Sequence, residues 1–367
     1  MKEILIIRFS SIGDIVMALP VAHAIKEMYG KQCKVTWMTK KIYAGLVENN
    51  DSIDRIIYLE DYKNGYFRIL KEIFRNYNKL LPKEKILGPF IIPLIYKIVP
   101  AIKNLRKYKF DIILDMQGNI ESSIIRMMCN AKSTIVPSFV INGTERFSLK
   151  IEDYKLSQHR IQDYLDVVRY LGYRSNSINF GWKFTIQEKN LFEEICISNG
   201  ILKNMRYIVC CIGTTWESKN YPIEYWSQII EYLYAKGLRV VIIGGEEEKA
   251  ACLKLEGSIG SEKFLNLVGK TSLREMAIII KNAKLIISGD TGPMHIAYSM
   301  DKDVIALMGP TNPIKWGPYG EKSKIILVDH NCRGCYKTVC PKGIKCLKSI
   351  VPDQVIMEIN NTLLMND

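Results

Sequence analysis

Apolar residues in this chain come in short unbroken runs between longer segments of helical spacing, and the alternation occurs twice. A brief continuous apolar run suits a strand buried on both faces, whereas recurrence at i, i+3, i+4 and i+7 suits a helix with one face on a core. Lys2–Arg8 predicts the first strand, and Asp14–Tyr29 predicts a helix after a Ser-Ser-Ile-Gly turn. Lys34–Met38, Arg55–Leu59, Asp111–Asp115 and Thr134–Pro137 predict further strands. The second series opens at Tyr207–Ile212 and continues through a helix near Pro222–Ala235. It then adds strands at Arg239–Ile243, Lys284–Ser288 and Val304–Met308. Repeated βα alternation predicts parallel sheets covered by helices. The fold class is therefore α/β, with two Rossmann-like doubly wound domains facing a central cleft, a geometry suited to two substrates. The boundary is expected in an irregular stretch from Tyr173 to Lys203, giving domains 1–185 and 186–350. A C-terminal helix, Asp353–Leu364, falls within 351–367.

Composition agrees with this picture. A chain of 367 residues exceeds one ordinary core, and 48% apolar with 24% charged residues is a globular composition. The start, MKEILIIRFSSIGDIV, lacks the basic region, long apolar run and small-residue cleavage site of a secretory signal. With that start, the ten cysteines predict free thiols in a reducing cytoplasm rather than a disulfide framework. Charge changes the picture at one place. From Tyr62 to Lys109 there are twelve Lys/Arg against Glu72 and Glu84, a surplus of ten in a chain of net charge +13. The same insertion carries Ile86–Ile102, strongly apolar but broken by Pro89, Pro93, Lys97 and Pro100. A membrane span is not expected from so interrupted a stretch. Contact with an anionic membrane surface is the preferred reading, ahead of a helical hairpin packed on its own domain and of nucleic-acid binding.

Candidate chemistry lies where predicted strands run into helices. In Arg8-Phe9-Ser10-Ser11-Ile12-Gly13-Asp14, Gly13 permits a tight turn and the helix start favours an anion. Asp14 reads either as a cap of that helix or as a general base at a strand-end crevice. Gly213-Thr214-Thr215-Trp216-Glu217-Ser218-Lys219 offers hydroxyls, amides and one cation before the next helix. Gly244-Gly245-Glu246 offers a carboxylate for a ribose diol. Ser288-Gly289-Asp290-Thr291-Gly292-Pro293-Met294-His295 combines backbone access with groups for hydroxyl and phosphate contacts. Asp301-Lys302-Asp303 spells a DxD, but it lies between a helix and a strand and reads as a turn. Cys332, Cys335, Cys340 and Cys346 contain one zinc-like pair and one wider pair. Packed thiols are preferred there over a metal site or a disulfide, so no metal is expected.

Together, RFSSIGDIVMALP, GTTWESKNYP, GGEEE, GDTGPMHIA and GPTNPIKWGPYG resemble the lipopolysaccharide heptosyltransferases, glycosyltransferase family 9. The resemblance covers most of both series in the same order and is weakest at Tyr62–Lys109 and Ser138–Phe184. It implies a GT-B fold and inverting, metal-independent transfer of heptose from ADP-heptose onto the Kdo–lipid A or heptosyl-Kdo core. By this resemblance Asp14 matches the catalytic base; Ser10, Ser11 and Gly13, in the same turn, are the acceptor-side candidates. Thr214, Thr215 and Lys219 match the donor diphosphate site, Glu246 the ribose contact and Thr271 an adenosine contact. Asp290, Thr291, Gly292 and His295 match donor phosphate and sugar contacts. No cofactor is implied. A monomer on the cytoplasmic face of the inner membrane, held peripherally and free of nucleic acid, is the corresponding expectation. The alternatives are the same fold with another nucleotide sugar or acceptor, and a non-catalytic basic nucleic-acid-binding protein.

Overall fold

The computed structural model describes residues 1–59, 100–140, 145, 148–151, 158–198, 206–327 and 333–364. Two compact units emerge. One comprises Met1–Ser10, Ala18–Lys155 and Ile161–Gly181; the other comprises Ser11–Met17, Leu156–Arg160 and Trp182–Asp367.

The first unit holds six parallel strands: β1 (Lys2–Ile7), β2 (Cys33–Lys40), β3 (Arg55–Leu59), β4 (Phe110–Asp115), β5 (Ala131–Val136) and β6 (Leu149–Lys150). Their order is β3-β2-β1-β4-β5-β6. Central β1 buries its last four residues, and Ile4 lies between Val35 of β2 and Ile112 of β4. A strand paired on both sides and covered on both faces needs apolar side chains at successive positions, which is why ILII is unbroken. Helix α1 (Ile12–Tyr29) follows β1, and α2 (Ile120–Met128) and α3 (Arg160–Tyr170) come later in the chain. The loop after β4 is fixed by a buried carboxylate. Asp115 accepts from the Gln117 and Gly118 amides and the Ser122 hydroxyl, and pairs with Arg126 at 2.8 Å. The loop after β1 is tied to it, since Arg8 donates to the Met116 carbonyl and the Phe9 amide donates to Gln117.

The second unit repeats the plan with β7 (Tyr207–Cys211), β8 (Arg239–Ile242), β9 (Leu265–Asn266), β10 (Leu285–Gly289), β11 (Val304–Leu307) and β12 (Ser323–Ile326). The order is β12-β11-β10-β7-β8-β9, again parallel throughout. Its helices are α4 (Ile186–Ser198), α5 (Ile223–Ala235), α6 (Lys249–Ile259), α7 (Leu273–Asn282), α8 (Gly292–Ser299), α9 (Pro313–Trp316), α10 (Lys345–Lys348) and α11 (Pro352–Leu364). One core gathers Ile208, Trp226, Ile230, Val240, Leu285 and Leu307. The C-terminal α11 closes it, packing on α5 and β11. Both sheets thus follow the doubly wound order 3-2-1-4-5-6, which reverses direction between the first and fourth strands.

Tyr173–Lys203 is not irregular throughout, because α4 lies inside it. Thr185 and Glu188 exchange side-chain and backbone hydrogen bonds at its start, a reciprocal N-terminal cap. Cys196 is its only buried residue, so no apolar stripe advertises the helix. The two-residue β6 and β9 and the edge strand β12 also lack an apolar run. Among the described residues no helix is long and apolar enough to cross a membrane. Most of the basic insertion, including Lys71, Arg75 and Lys79, lies outside the described residues.

Candidate active site

In the second unit the sheet reverses between β7 and β10, whose ends are in register at Cys211 and Ser288. The loops leaving those two strands therefore diverge from a common point, and a crevice at the carboxyl ends is expected there. Thr214, Thr215, Lys219, Asp290 and Thr291 lie on these loops, and Gly292 and His295 lie on the helix that follows the second.

The β7 loop is braced from within. The Thr214 amide donates to Asn220 Oδ1 at 2.9 Å, and the Thr214 hydroxyl lies 2.7 Å from the Trp216 carbonyl. The Ser218 amide donates to the Thr338 carbonyl, which ties the loop to the cysteine-rich segment. Thr215 is exposed. Lys219 points across to the β10 loop, where its Nζ lies 2.7 Å from Asp290 Oδ2 with the side chains only 12% and 6% exposed. The same ammonium stands 4.2 Å from the centre of the Trp216 ring. Asp290 Oδ2 also accepts the Thr311 hydroxyl at 2.5 Å. Thr291 holds the N-cap position of α8 without a side-chain capping bond, and Gly292 and Pro293 open that helix.

His295, one turn into α8, is buried. Its Nε2 lies 3.9 Å from Asp290 Oδ1, and its Nδ1 lies 3.2 Å from the Tyr298 hydroxyl. Burial pushes its pKa down, opposed by the nearby carboxylates of Asp290 and Asp14. The imidazole covers Gly13, where a Cβ would stand 2.5 Å from Cδ2. Gly292 in turn lies against Ile12, whose Cγ2 would be 2.7 Å from a Cβ there. The N-terminal turn of α1 and that of α8 are thus packed together through two glycines, with Asp14 on that turn.

Asp14 is half-buried and engaged locally, because the Ser11 hydroxyl and amide both donate to its Oδ2, at 3.0 and 3.4 Å. That is capping geometry, and it also keeps the carboxylate at the helix start beside His295. Ser11 is exposed, whereas Ser10 is half-buried and belongs to the first unit.

A second group lies along the sheet. Glu246 is exposed and pairs with Lys249 at 2.6 Å. It adjoins Gly269, where a Cβ would be 2.7 Å from its Oε1. Two residues further on, Thr271 has an enclosed hydroxyl with no hydrogen-bond partner among the described residues. Glu248, not singled out in the sequence, accepts from the Gly245 amide at 2.6 Å and curls beneath Gly213. A cavity of about 520 Å³ is lined there by Gly213, Thr214, Glu217, Glu248, Lys254 and Cys340. Thr311, Asn220 and Tyr298 are further unexpected members of the site. The GPTNP motif held the signal for Thr311, and i, i+3 spacing from His295 held it for Tyr298.

In the DxD stretch Asp301 has φ 57° and pairs with Lys322 at 2.6 Å, as a turn residue. Cys335 is exposed, Cys340 half-buried and Cys346 buried, all as free thiols, while Cys332 lies outside the described residues. Among the described residues no group of three or more His, Cys, Asp or Glu could hold a metal ion.

Comparison with known proteins gives this arrangement its context. The profile of glycosyltransferase family 9 (heptosyltransferase) matches residues 98–345, more than half of the chain. The lipopolysaccharide core heptosyltransferase OpsX of Haemophilus influenzae is 23% identical over 339 residues, covering 89% of this chain and 84% of that protein. A family 9 glycosyl transferase from Veillonella parvula superposes with TM-score 0.79 at 20% identity, covering 99% of this chain and 98% of that one. The ADP-heptose LPS heptosyltransferase II of E. coli superposes at 0.76 and 18% identity, covering 100% and 99%. E. coli heptosyltransferase WaaC, solved with ADP, superposes at 0.70 and 20% identity, covering 98% and 99%. At that identity the likeness establishes the fold, which is GT-B.

Proposed function

The chain belongs to glycosyltransferase family 9, the heptosyltransferases, and from that premise we propose that it moves heptose from ADP-heptose onto the inner core of lipopolysaccharide. Kdo–lipid A or heptosyl-Kdo is the acceptor in this reading. The observation that carries it is the convergence of Lys219, Asp290 and His295 at the reversal of one sheet, with the Asp14 turn packed against His295. A relative of the same fold solved with ADP-2-deoxy-2-fluoro heptose supports the choice of donor.

Asp14 takes the proton from an acceptor hydroxyl, and that oxygen bonds to the anomeric carbon from the face opposite the diphosphate. The bond to the diphosphate oxygen breaks, ADP leaves with the electron pair, and the configuration inverts. Lys219, the hydroxyls of Thr214 and Thr215, and the amides at Thr291 and Gly292 neutralise the leaving group as preorganised donors. With that neutralisation supplied by protein groups, the reaction is metal-independent. Glu246 holds the ribose, Thr271 faces the adenosine, and Asp290 and His295 address the sugar. Ser10, Ser11 and Gly13 shape the acceptor side. The basic insertion holds the enzyme at the anionic cytoplasmic leaflet where the acceptor is anchored.

The test is transfer itself, with ADP-heptose, a panel of other nucleotide sugars and Kdo–lipid A, read by mass spectrometry. One added heptose from ADP-heptose is expected. Asp14→Asn should lower turnover by ~10²–10⁴-fold while ADP affinity by calorimetry stays near that of the parent. Transfer only from a different nucleotide sugar, or near-normal turnover in Asp14→Asn, contradicts the reading.

A further inference from the structure

Tyr298 lies three residues after His295 on α8, so both side chains leave the same face of the helix. Tyr298 is buried, and its ring meets the imidazole edge-on with centroids 5.5 Å apart. Its hydroxyl oxygen is 3.2 Å from His295 Nδ1, and the other ring nitrogen faces Asp290 Oδ1 at 3.9 Å. Asp14 and Lys219 are the remaining charged groups close to the ring. Kept neutral by burial, the imidazole carries one N–H, and a carboxylate oxygen can only accept. The field of that carboxylate favours the proton on Nε2, which leaves the Nδ1 lone pair facing the phenol. A hydroxyl can donate to that lone pair, so Nδ1 is hydrogen-bonded while Nε2–H is turned toward a carboxylate 3.9 Å away, beyond hydrogen-bond distance.

Tyr298 is itself held in place. His159 meets its ring edge-on, and His159 Nε2 lies 2.8 Å from the Gly317 carbonyl, which fixes that imidazole as an Nε2–H donor. The His295 ring in turn lies on the bare Cα of Gly13, where a Cβ would be 2.8 Å from Nε2.

We propose that Tyr298 is a positioning residue of the site: its hydroxyl donates to His295 Nδ1 and fixes the imidazole as the Nε2–H tautomer turned toward Asp290 and Gly13. The consequence for transfer rests on the function proposed above, because it takes His295 to address the donor. In the fixed tautomer His295 presents an N–H to an oxygen of the donor. In the other tautomer it presents a lone pair, which an anionic oxygen repels.

The chain has four histidines, His23, His159, His295 and His330, so ¹⁵N-histidine labelling resolves their tautomers by two-bond correlation spectra. The His295 pattern is the one missing from His295→Gln. The parent should show His295 as a single Nε2–H tautomer with a hydrogen-bonded Nδ1. In Tyr298→Phe, which keeps the ring but not the hydroxyl, the Nδ1 signal should move toward the unbonded position and the tautomers should mix. An Nδ1–H tautomer in the parent overturns the proposal, as does an unchanged pattern in Tyr298→Phe. With ADP-heptose as donor, Tyr298→Phe should lower kcat roughly two- to tenfold, the scale of one neutral hydrogen bond, while ADP affinity changes less than that. An unchanged kcat overturns the positioning role. If the parent transfers nothing from ADP-heptose, the proposed function fails, and the spectra still decide the assignment of Tyr298.

Discussion

Lys219 and Asp290 are a buried pair that has to serve two purposes, and mutating either member separates them. At 2.7 Å, with 12% and 6% of the side chains exposed, each charge has given up most of its water for the other. Removing one partner from such a pair costs about 3–5 kcal/mol, because the survivor remains buried without compensation. Among the described residues, Asp290→Ala leaves the ammonium with the Trp216 ring, and Lys219→Met leaves the carboxylate with the Thr311 hydroxyl and its His295 neighbour. In a unit of roughly 200 residues each kcal/mol lowers the melting midpoint by about 2–4 °C, so either single change should lower it by about 6–20 °C. The double variant should be less damaged than the sum of the singles, by about 0.5–3 kcal/mol of coupling. Ligand binding should split the two positions. Lys219→Met removes a cation from the proposed diphosphate site and should weaken ADP binding, whereas Asp290→Asn removes an opposing negative charge and should leave ADP bound at least as tightly. Differential scanning calorimetry and ADP titration read both effects. Additive destabilisation, or equal weakening of ADP binding by Lys219→Met and Asp290→Asn, refutes the reasoning.

Three other outcomes follow from geometry or sequence. Gly13→Ala drives a methyl to 2.5 Å from His295 Cδ2, so it should cost about 1–3 kcal/mol in urea unfolding and slow transfer with it; a silent substitution would contradict this packing. Burial lowers the pKa of His159 from 6.5 to about 4. The unfolded chain therefore takes up a proton that the folded chain refuses between those values, and stability contributed by neutral His159 is present above pH 6.5 and lost as pH falls toward 4. The loss amounts to about 3 kcal/mol at 1.36 kcal/mol per pKa unit, and His159→Gln should flatten that part of the pH–stability curve measured by urea unfolding. Replacing Lys71, Arg75 and Lys79 together with Gln should weaken sedimentation with anionic vesicles, most at low salt, at about 1 kcal/mol per charge removed. Activity on a soluble delipidated acceptor should survive, and undiminished vesicle binding would remove this segment as the membrane contact.

The sequence showed the interior strands because burial on both faces leaves a direct mark. KEILII, YIVCC and LIISG are nearly unbroken apolar runs, and each is a central strand. The edge strand RIIYL still carries an apolar run, but the edge strands Leu265–Asn266 and Ser323–Ile326 are too short or too polar to do so and passed unnoticed between loops. The same distinction holds in the site. Lys219 and Asp290 were each visible as polar residues after a strand, but their pairing depends on β7 and β10 being neighbours. Alternation of strands and helices says that a sheet is parallel, not which strands are adjacent. The helix Ile186–Ser198 was hidden for a third reason. It is almost entirely exposed, and only the reciprocal Thr185–Glu188 cap distinguishes it from a loop.

Glycine explains why chemistry can concentrate where the second sheet reverses. A helix beginning at a strand end points unsatisfied amides into the crevice, and the partial positive charge of its first turn decays within that turn. Two such termini act on one ligand only if their backbones come close, and any Cβ between them keeps them apart. Gly13 of α1 accepts the imidazole of His295 from α8, and Gly292 of α8 accepts the side chain of Ile12 from α1. Each helix start thus gives up a side chain where the other supplies one, so the two starts interlock rather than merely abut. Interlocking brings the Asp14 carboxylate to a place where burial keeps His295 neutral and Asp290 has already taken the charge of Lys219. At rest Lys219 and Asp290 compensate each other and the Asp14 carboxylate caps the start of α1, whereas the start of α8 has no side-chain cap from Thr291. In the function proposed above, a diphosphate would be selected by the placement of these helix-start donors, which could stabilise the extra charge of a departing nucleotide without reorganising.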